Sequence, residues 1–341
     1  MKRGFVIVAS CLFLVAGLCG PASAAKKQFL LDWIIYGKHA PFFVAQDMGH
    51  YKKVGLDIEY KRGFGSGDTI KKIAAKVGPI GFADASSLVN GRANSDIRVK
   101  EVAMIHAKSI AVVVFLKEKG WKTPKDLVGA KVGGPLGSAT YVIFPALAAA
   151  NGFDHKKVKF IDMPYASMIP SLLAGRTDVA LLYATELPTV RPKAKQMGKE
   201  VGTFYYGDWG VDTYSNGVIA HEGTIQSDPK FVRNTVKALM EAWSWSLLHP
   251  DAAIKNFLKY APGMSEPLIR GHYAIALEHL FDDGVRRHGL GYIDHKKMDY
   301  TVELLTKLQK LKKRIPTGDV YTNRFLPQWP AIKAALGDKA M

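Results

Sequence analysis

Two periodicities of apolar and polar residues alternate along most of this chain, and the switch between them repeats. Runs of four to six apolar or alternating residues read as strands, and runs in which apolar residues recur every three or four positions read as helices. Strands are predicted over 29–33, 56–60, 80–83, 102–105 and 111–116, with helices over 41–51, 68–76 and 86–92. The grammar returns with strands over 131–133, 158–161 and 178–182 and helices over 139–151 and 166–174. Gly152 stands where a helix is expected to stop. Beyond Tyr214 the pattern turns mostly helical, over 229–248, 251–260, 266–281 and 295–313, punctuated by Pro250, Pro262 and Pro267. Interleaved strands and helices predict an α/β chain with a helical C-terminal region.

The pattern also echoes itself. Ile80-Gly81-Phe82-Ala83-Asp84-Ala85-Ser86-Ser87-Leu88 aligns without a gap on Val179-Ala180-Leu181-Leu182-Tyr183-Ala184-Thr185-Glu186-Leu187. Each follows a helix-like segment and a tight turn, which predicts two lobes of similar plan.

The first residues change the picture by placing the chain. Residues 1–24 read as a cleavable export signal, with Lys2 and Arg3 as its basic start, an apolar middle over 5–18, and Ala22-Ser23-Ala24 as the cleavage site. No apolar stretch is long enough to span a bilayer comfortably. Both cysteines, Cys11 and Cys19, fall inside this signal. The exported chain therefore has no disulfide, thiol nucleophile, thiolate zinc site or iron–sulfur cluster, and relies on its core. Its formal net charge is +17, but the lysines are scattered. The main concentration, Lys307, Lys310, Lys312, Lys313 and Arg314, reads as a solvated helix face. With export, this argues against a nucleic-acid partner and leaves weak attraction to anionic membrane surfaces.

In α/β sheets, ligands bind beyond the carboxyl ends of the strands. The loops there offer Trp33, Tyr36 and His39; Phe64 and Ser66; Asp84 and Ser86; Ser138 and Thr140; Tyr165; Tyr183 and Glu186; and Asp208 with Trp209. Aromatic side chains can sandwich a flat ring, carboxylates accept hydrogen bonds from ring amines, and helix N-termini hold oxygens. This set suits a flat, polar organic molecule better than a strong anion, for which arginine is expected; only Arg62 is near. Structural roles compete at each position. Trp33 can be a core aromatic, His39, Ser66 and Ser138 helix caps, Asp84 and Glu186 satisfied carboxylates, and Asp208-Trp209 a loop between lobes. Enzyme signatures are lacking. Gly63-x-Gly65 has neither the Lys-Ser/Thr of a P-loop nor the third glycine of a dinucleotide fingerprint, and no Gly-x-Ser-x-Gly or His-Glu-x-x-His occurs. His272 and His279, seven apart, read as a polar helix face rather than a metal site. No metal, cofactor or catalytic residue is expected.

Leu31-Asp32-Trp33, His39-Ala40-Pro41, the stretch from Val44-Ala45 through Gly49-His50-Tyr51-Lys52-Lys53-Val54-Gly55-Leu56-Asp57, Gly65-Ser66-Gly67-Asp68-Thr69, Gly81-Phe82-Ala83-Asp84-Ala85 and Leu173-Ala174-Gly175-Arg176-Thr177-Asp178-Val179-Ala180 together resemble the periplasmic solute-binding proteins of ABC importers. The likeness is to the group that binds thiamine-pyrimidine precursors, with sulfonate, taurine, nitrate and riboflavin binders as relatives. It implies a two-lobed, type II-like fold with lobe I over 25–107 and 213–341, lobe II over 108–212, and a ligand cleft between them. It further implies a periplasmic monomer that captures a small molecule and delivers it to a membrane permease, or alternatively serves a membrane sensor. By that resemblance Trp33 stacks on the ligand's ring and Glu186 holds its amine. Ile34, Ile35 and Tyr36 depart from the polar residues common in that group. Some eukaryotic relatives are enzymes with a cysteine-rich segment that this mature chain lacks.

Overall fold

The computed structural model describes residues 26–328; the predicted export signal lies outside them. Among the described residues ten strands form in chain order: β1 (Lys27–Leu30), β2 (Ile58–Lys61), β3 (Ile80–Asp84), β4 (Val99–Met104), β5 (Ala111–Leu116), β6 (Lys131–Gly134), β7 (Lys159–Asp162), β8 (Val179–Tyr183), β9 (Val201–Tyr205) and β10 (Asn216–His221). They make two five-stranded sheets, ordered β2-β1-β3-β10-β4 and β7-β6-β8-β5-β9.

The two orders are one plan used twice. In each sheet a strand is flanked by two parallel neighbours, β1 by β2 and β3, and β6 by β7 and β8. A fourth strand runs antiparallel to both of its neighbours, β10 between β3 and β4, and β5 between β8 and β9. The echoing segments thus occupy equivalent central strands, β3 and β8, buried along their whole length. Strands covered on both faces read as continuous apolar runs, as Ala111–Leu116 does. Among the described residues no helix is long and apolar enough to cross a membrane.

The chain leaves the first sheet after β4, builds the second sheet, and returns as β10. That returning strand lies in the stretch expected to be mostly helical. Its apolar core, Val218-Ile219-Ala220, is too short to declare a strand, and pairing on both sides supplies what the pattern lacks. Strand β9 was equally silent in the pattern. The helix expected over 41–51 is two helices, Ala40–Asp47 and His50–Lys53, because Gly49 takes φ 71° between them. The helix expected over 295–313 ends at Gln309, where Lys310 turns left-handed.

Helices tie the halves together. Pro229–Leu248 packs on Ala40–Asp47, and Trp243, Phe42, Phe82 and Phe29 fill the core of the first sheet. His295–Gln309 packs on Ala85–Ser95 from the first half and Ala139–Ala150 from the second. Its Gln309 accepts from Asn90 Nδ2 (2.8 Å) and donates to the Val142 carbonyl (3.1 Å). Glu266–Glu278 sits across the other side, against Gly37–His39 and Ala184–Glu186.

Candidate functional site

The carboxyl ends of β1 and β3 face those of β6 and β8. The loops after β2 and β6 meet there: the Gly67 amide donates to the Gly137 carbonyl at 3.2 Å. Gly65 has φ 127°, and a Cβ on it would stand 2.3 Å from the Gly137 oxygen. Both the backbone conformation and the close approach require glycine. Behind this contact Asp32, Trp33, Ser66, Ser138, Ala139, Thr140, Leu181, Tyr183 and Glu186 enclose a cavity of about 20 Å³, room for about one water. A ring-sized ligand enters only if the two walls part.

The first wall is organised around Asp32. Its Oδ2 accepts from Lys38 Nζ (2.5 Å) and Asn216 Nδ2 (2.9 Å), and its Oδ1 from His39 Nε2 (2.9 Å). Lys38 is fully buried, with its ammonium 4.7 Å from the centre of the Tyr183 ring and 5.4 Å from that of Tyr36. Burial would raise the Asp32 pKa, but Lys38 and His39 hold it well below the usual carboxylate range. Burial pushes His39 down against the pull of Asp32, so it stays neutral. Its Nδ1 accepts from the Tyr36 amide, which leaves Nε2 to donate. The network continues from Asn216 through the Ser215 hydroxyl to Asp84 Oδ2. Asp84 Oδ1 caps the next helix by accepting from the Ser87 amide at 2.8 Å. Burial lifts the Asp84 pKa to about 6 against these hydrogen bonds.

The second wall is different. Glu186 is buried; its Oε2 accepts from the Tyr183 amide at 3.1 Å, and its Oε1 has no partner. The Tyr183 hydroxyl is also buried without a partner, and so is the indole Nε1 of Trp33 from the facing wall. Trp33 and Tyr165 meet edge to face with centroids 5.2 Å apart. Burial raises the Glu186 pKa above its usual value, opposed by the Tyr165 hydroxyl, the Tyr183 amide, Lys38 and the Trp33 indole, none of which closes a bond of normal geometry on Oε1. Burial keeps the Tyr183 phenol protonated and able to donate.

The structure brings together Trp33, Ser66, Ser138, Thr140, Tyr183 and Glu186 of the expected contacts, with Tyr165 against Trp33. Ser66 and Ser138 line the cavity and make local bonds as well: Ser66 Oγ accepts from the Asp84 amide and Ser138 Oγ from the Tyr141 amide. His39 and Asp84 lie behind the first wall. Tyr36 reaches across to the second half, its hydroxyl 2.8 Å from Thr185 Oγ1. Ser86 donates to Thr213 Oγ1 away from the cavity. Phe64 is exposed under the Arg62 guanidinium. Trp209 packs on Phe204, and Asp208 shares its loop; neither lines the cavity. Lys38 escaped the sequence reading, because a lysine is expected at the surface unless its partner is known. Of the paired histidines, His272 Nε2 bonds Thr189 Oγ1 and His279 Nδ1 the Ile275 carbonyl.

A model of the NMT1/THI5 like family matches residues 37–253. The formylaminopyrimidine-binding protein of Halalkalibacterium halodurans is 25% identical over 244 residues, 71% of this chain and 73% of that protein. The 4-amino-5-hydroxymethyl-2-methylpyrimidine phosphate synthase of Aspergillus parasiticus is 21% identical over 255 residues, 73% of this chain and 74% of that one. The alkanesulfonate-binding protein SsuA from Xanthomonas axonopodis pv. citri, solved bound to MOPS, shares the fold with a TM-score of 0.69. Its identity is 12%, covering 88% of this chain and 99% of that chain. The fold is the two-lobed one of periplasmic binding proteins, with the cleft between the lobes.

Proposed function

The chain belongs to the NMT1/THI5-like family, and from that premise we propose that it is the extracytoplasmic solute-binding component of an ABC importer. It captures a flat, amino-bearing heterocycle of the pyrimidine-precursor type and delivers it to a membrane permease. Residues 1–24 direct export to the periplasm and are removed. Lobe I comprises 25–107 and 213–341, lobe II 108–212, and the mature protein acts as a monomer. The observation that carries this reading is the convergence of three buried polar atoms that make no hydrogen bond of normal geometry, Trp33 Nε1, Tyr183 Oη and Glu186 Oε1, on one cavity between the lobes. Buried polar groups are nearly always hydrogen-bonded, so these await an acceptor for two N–H and O–H donors and a donor for one carboxylate. A heterocycle with a ring nitrogen and an exocyclic amine supplies both, and Trp33 with Tyr165 supplies the aromatic wall.

A strong anion fits less well. No cation lines the cavity, and Lys38 beside it is committed to Asp32. Capture without chemistry belongs to the same proposal, and with both cysteines in the export signal the mature chain has no thiol for catalysis. The mechanism is differential contact: a ligand touching both lobes stabilises the closed form by the contacts the open form cannot make. A few kcal/mol of such difference moves the population from open to closed.

Thermal denaturation of the chain without residues 1–24 tests this, with formylaminopyrimidine, riboflavin, taurine and nitrate as separate additions. Formylaminopyrimidine at ~100 times its dissociation constant adds about 2.7 kcal/mol of stability, and Trp33→Ala abolishes the shift while the variant still unfolds cooperatively. A shift with taurine or nitrate alone defeats the heterocycle reading.

A further inference from the structure

The cleft is closed on one side by a contact that touches neither the cavity nor the polar network behind it. His272, on the helix Glu266–Glu278 of the C-terminal region, is 2% exposed. Its Nε2 lies 2.8 Å from Thr189 Oγ1 on the second half, and its Nδ1 is buried with no partner. The Tyr36 ring stands edge-on to it at 5.1 Å while the Tyr36 hydroxyl bonds Thr185 across the cleft. A Cβ on Gly271 would come within 2.8 Å of Pro188, and one on Gly37 within 2.6 Å of the His272 Cβ. The imidazole is therefore clamped between both lobes. Resting on the two-lobe capture proposed above, we propose that His272 is an acid-sensitive fastening of the closed cleft: neutral, it holds Thr189 across the lobes; protonated, it releases it.

The chemistry follows from the two ring nitrogens. With Nε2–H donating to Thr189, Nδ1 carries only a lone pair, and an unmatched acceptor among apolar groups is tolerable. Protonation adds an N–H at Nδ1 with no acceptor and a charge with no counter-ion. The charged neighbours do not supply one. On the Gly37–His39 side, Lys38 and His39 are held by Asp32, and the Tyr36 phenol stays protonated through burial. On the second half, Glu186 takes the Tyr183 amide and Arg191 stands beside Tyr205, while Lys193 and Lys195 are exposed. On Pro250–Phe257, Asp251 pairs with Arg270 and Lys255 is exposed. On its own helix, Glu266 also pairs with Arg270, Glu278 is exposed, and His279 just beyond bonds the Ile275 carbonyl. Burial alone pushes the His272 pKa down to about 4. Parting the lobes opens Nδ1 to water and returns the group toward 6.5, so protons bind the open form more tightly and acid opposes closure.

Linkage between 6.5 in the open form and about 4 in the closed form weakens ligand binding about 30-fold from pH 7.5 to 5. Calorimetric titration with formylaminopyrimidine at both pH values reads this as a ratio within each protein. Glu186 also titrates in acid, so the decisive comparison is with His272→Gln, which keeps a side-chain donor toward Thr189 but cannot titrate. The expected result is a ratio at least tenfold smaller in the variant; equal ratios overturn the proposal. Thr189→Val should weaken binding about fivefold at pH 7.5, and unchanged affinity there counts against the fastening. A second readout follows the ring itself. In the ¹H–¹³C histidine spectrum, with His272 assigned by its loss in His272→Gln, the imidazole should titrate near 6.5 without ligand and at or below about pH 5 with formylaminopyrimidine saturating. A value near 6.5 in the ligand-bound protein overturns the proposal. Failure of formylaminopyrimidine to bind at any pH would instead count against the proposed ligand, and the bound-state titration is then read with whichever of riboflavin, taurine or nitrate stabilises the chain.

Discussion

Strands β3 and β8 hold the same position in sheets of the same order, yet the polar groups at their ends meet different fates. After β3, Asp84 at the strand's end accepts from the amide three residues on, Ser87. After β8, the residue three on, Glu186, reaches back to the amide at the strand's end, Tyr183. These are the two reciprocal bonds of a capping box, one kept in each lobe. The division has a consequence. A carboxylate at the strand's end is drawn into the lobe's interior, where Ser215 and Asn216 link it to Asp32, Lys38 and His39. A carboxylate three residues further on needs only one oxygen for the turn and leaves the other facing the cleft. The first wall is thus internally satisfied apart from Trp33 Nε1, and the second presents open polar atoms. The difference teaches that one lobe's site residues hold the fold while the other's keep buried polar atoms open, the ones that await a ligand in the function proposed above.

The largest effects should separate these roles. Lys38→Met leaves the Asp32 carboxylate buried without its ammonium, and removing one partner of a buried pair costs about 3–5 kcal/mol; denaturant unfolding should show that loss. Glu186→Gln should leave the unfolding midpoint unchanged or raised, since it removes a carboxylate that burial disfavours. It should weaken formylaminopyrimidine binding about 10- to 100-fold, the range for a hydrogen bond to a charged group. If Glu186→Gln loses stability while retaining affinity, the two walls are not different in kind.

Asp84 sharpens the comparison through pH. Its pKa rises from 3.8 to about 6 in the fold, so the native state holds the proton more tightly than the unfolded chain. The stability this contributes is fully present below pH 3.8 and is lost as pH rises through about 6, by about 3 kcal/mol in all. Asp84→Asn cannot titrate. The stability gap between wild type and variant, measured by urea unfolding, should therefore be larger at pH 4 than at pH 8 by about that amount. Parallel stability profiles would show that Asp84 behaves as an exposed carboxylate and that the first wall is wetter than its burial implies.

Much of this architecture could be read from the chain. The echo between Ile80–Leu88 and Val179–Leu187 marked the equivalent strands, and the switch from period two to period 3.6 located the elements that carry the cavity. Local pattern identified residue types at strand ends, because a polar or aromatic residue after a buried run has few places to point. It could not reveal what depends on distant partners. The returning strand β10 has three apolar residues and exists by pairing with β3 and β4. Lys38 looks like a surface charge until Asp32 and Asn216, 184 positions apart, close around it. His272 looked like one turn of a polar helix face until the second half covered it. Phe64, Asp208 and Trp209 looked like cleft residues from their loops, but the loops turn them elsewhere.

Ser138 offers the smallest effect and the sharpest exception. It lines the cavity on the second wall, yet its hydroxyl already accepts from the Tyr141 amide (3.3 Å) and lies 3.3 Å from Thr140 Oγ1. If unmatched polarity defines the ligand-facing groups, Ser138 belongs with the structural set despite its position. Ser138→Ala removes the N-cap of Ala139–Ala150 and should cost about 1 kcal/mol of stability. Binding of formylaminopyrimidine should stay within about twofold, because the hydroxyl hydrogen has the Thr140 oxygen beside it and the helix's own amide claims the lone pair. A loss of tenfold or more, with stability unchanged, would show that the hydroxyl turns from its cap to the ligand when the lobes close. Position in the cleft, rather than unmatched polarity, would then be the better guide to which groups bind.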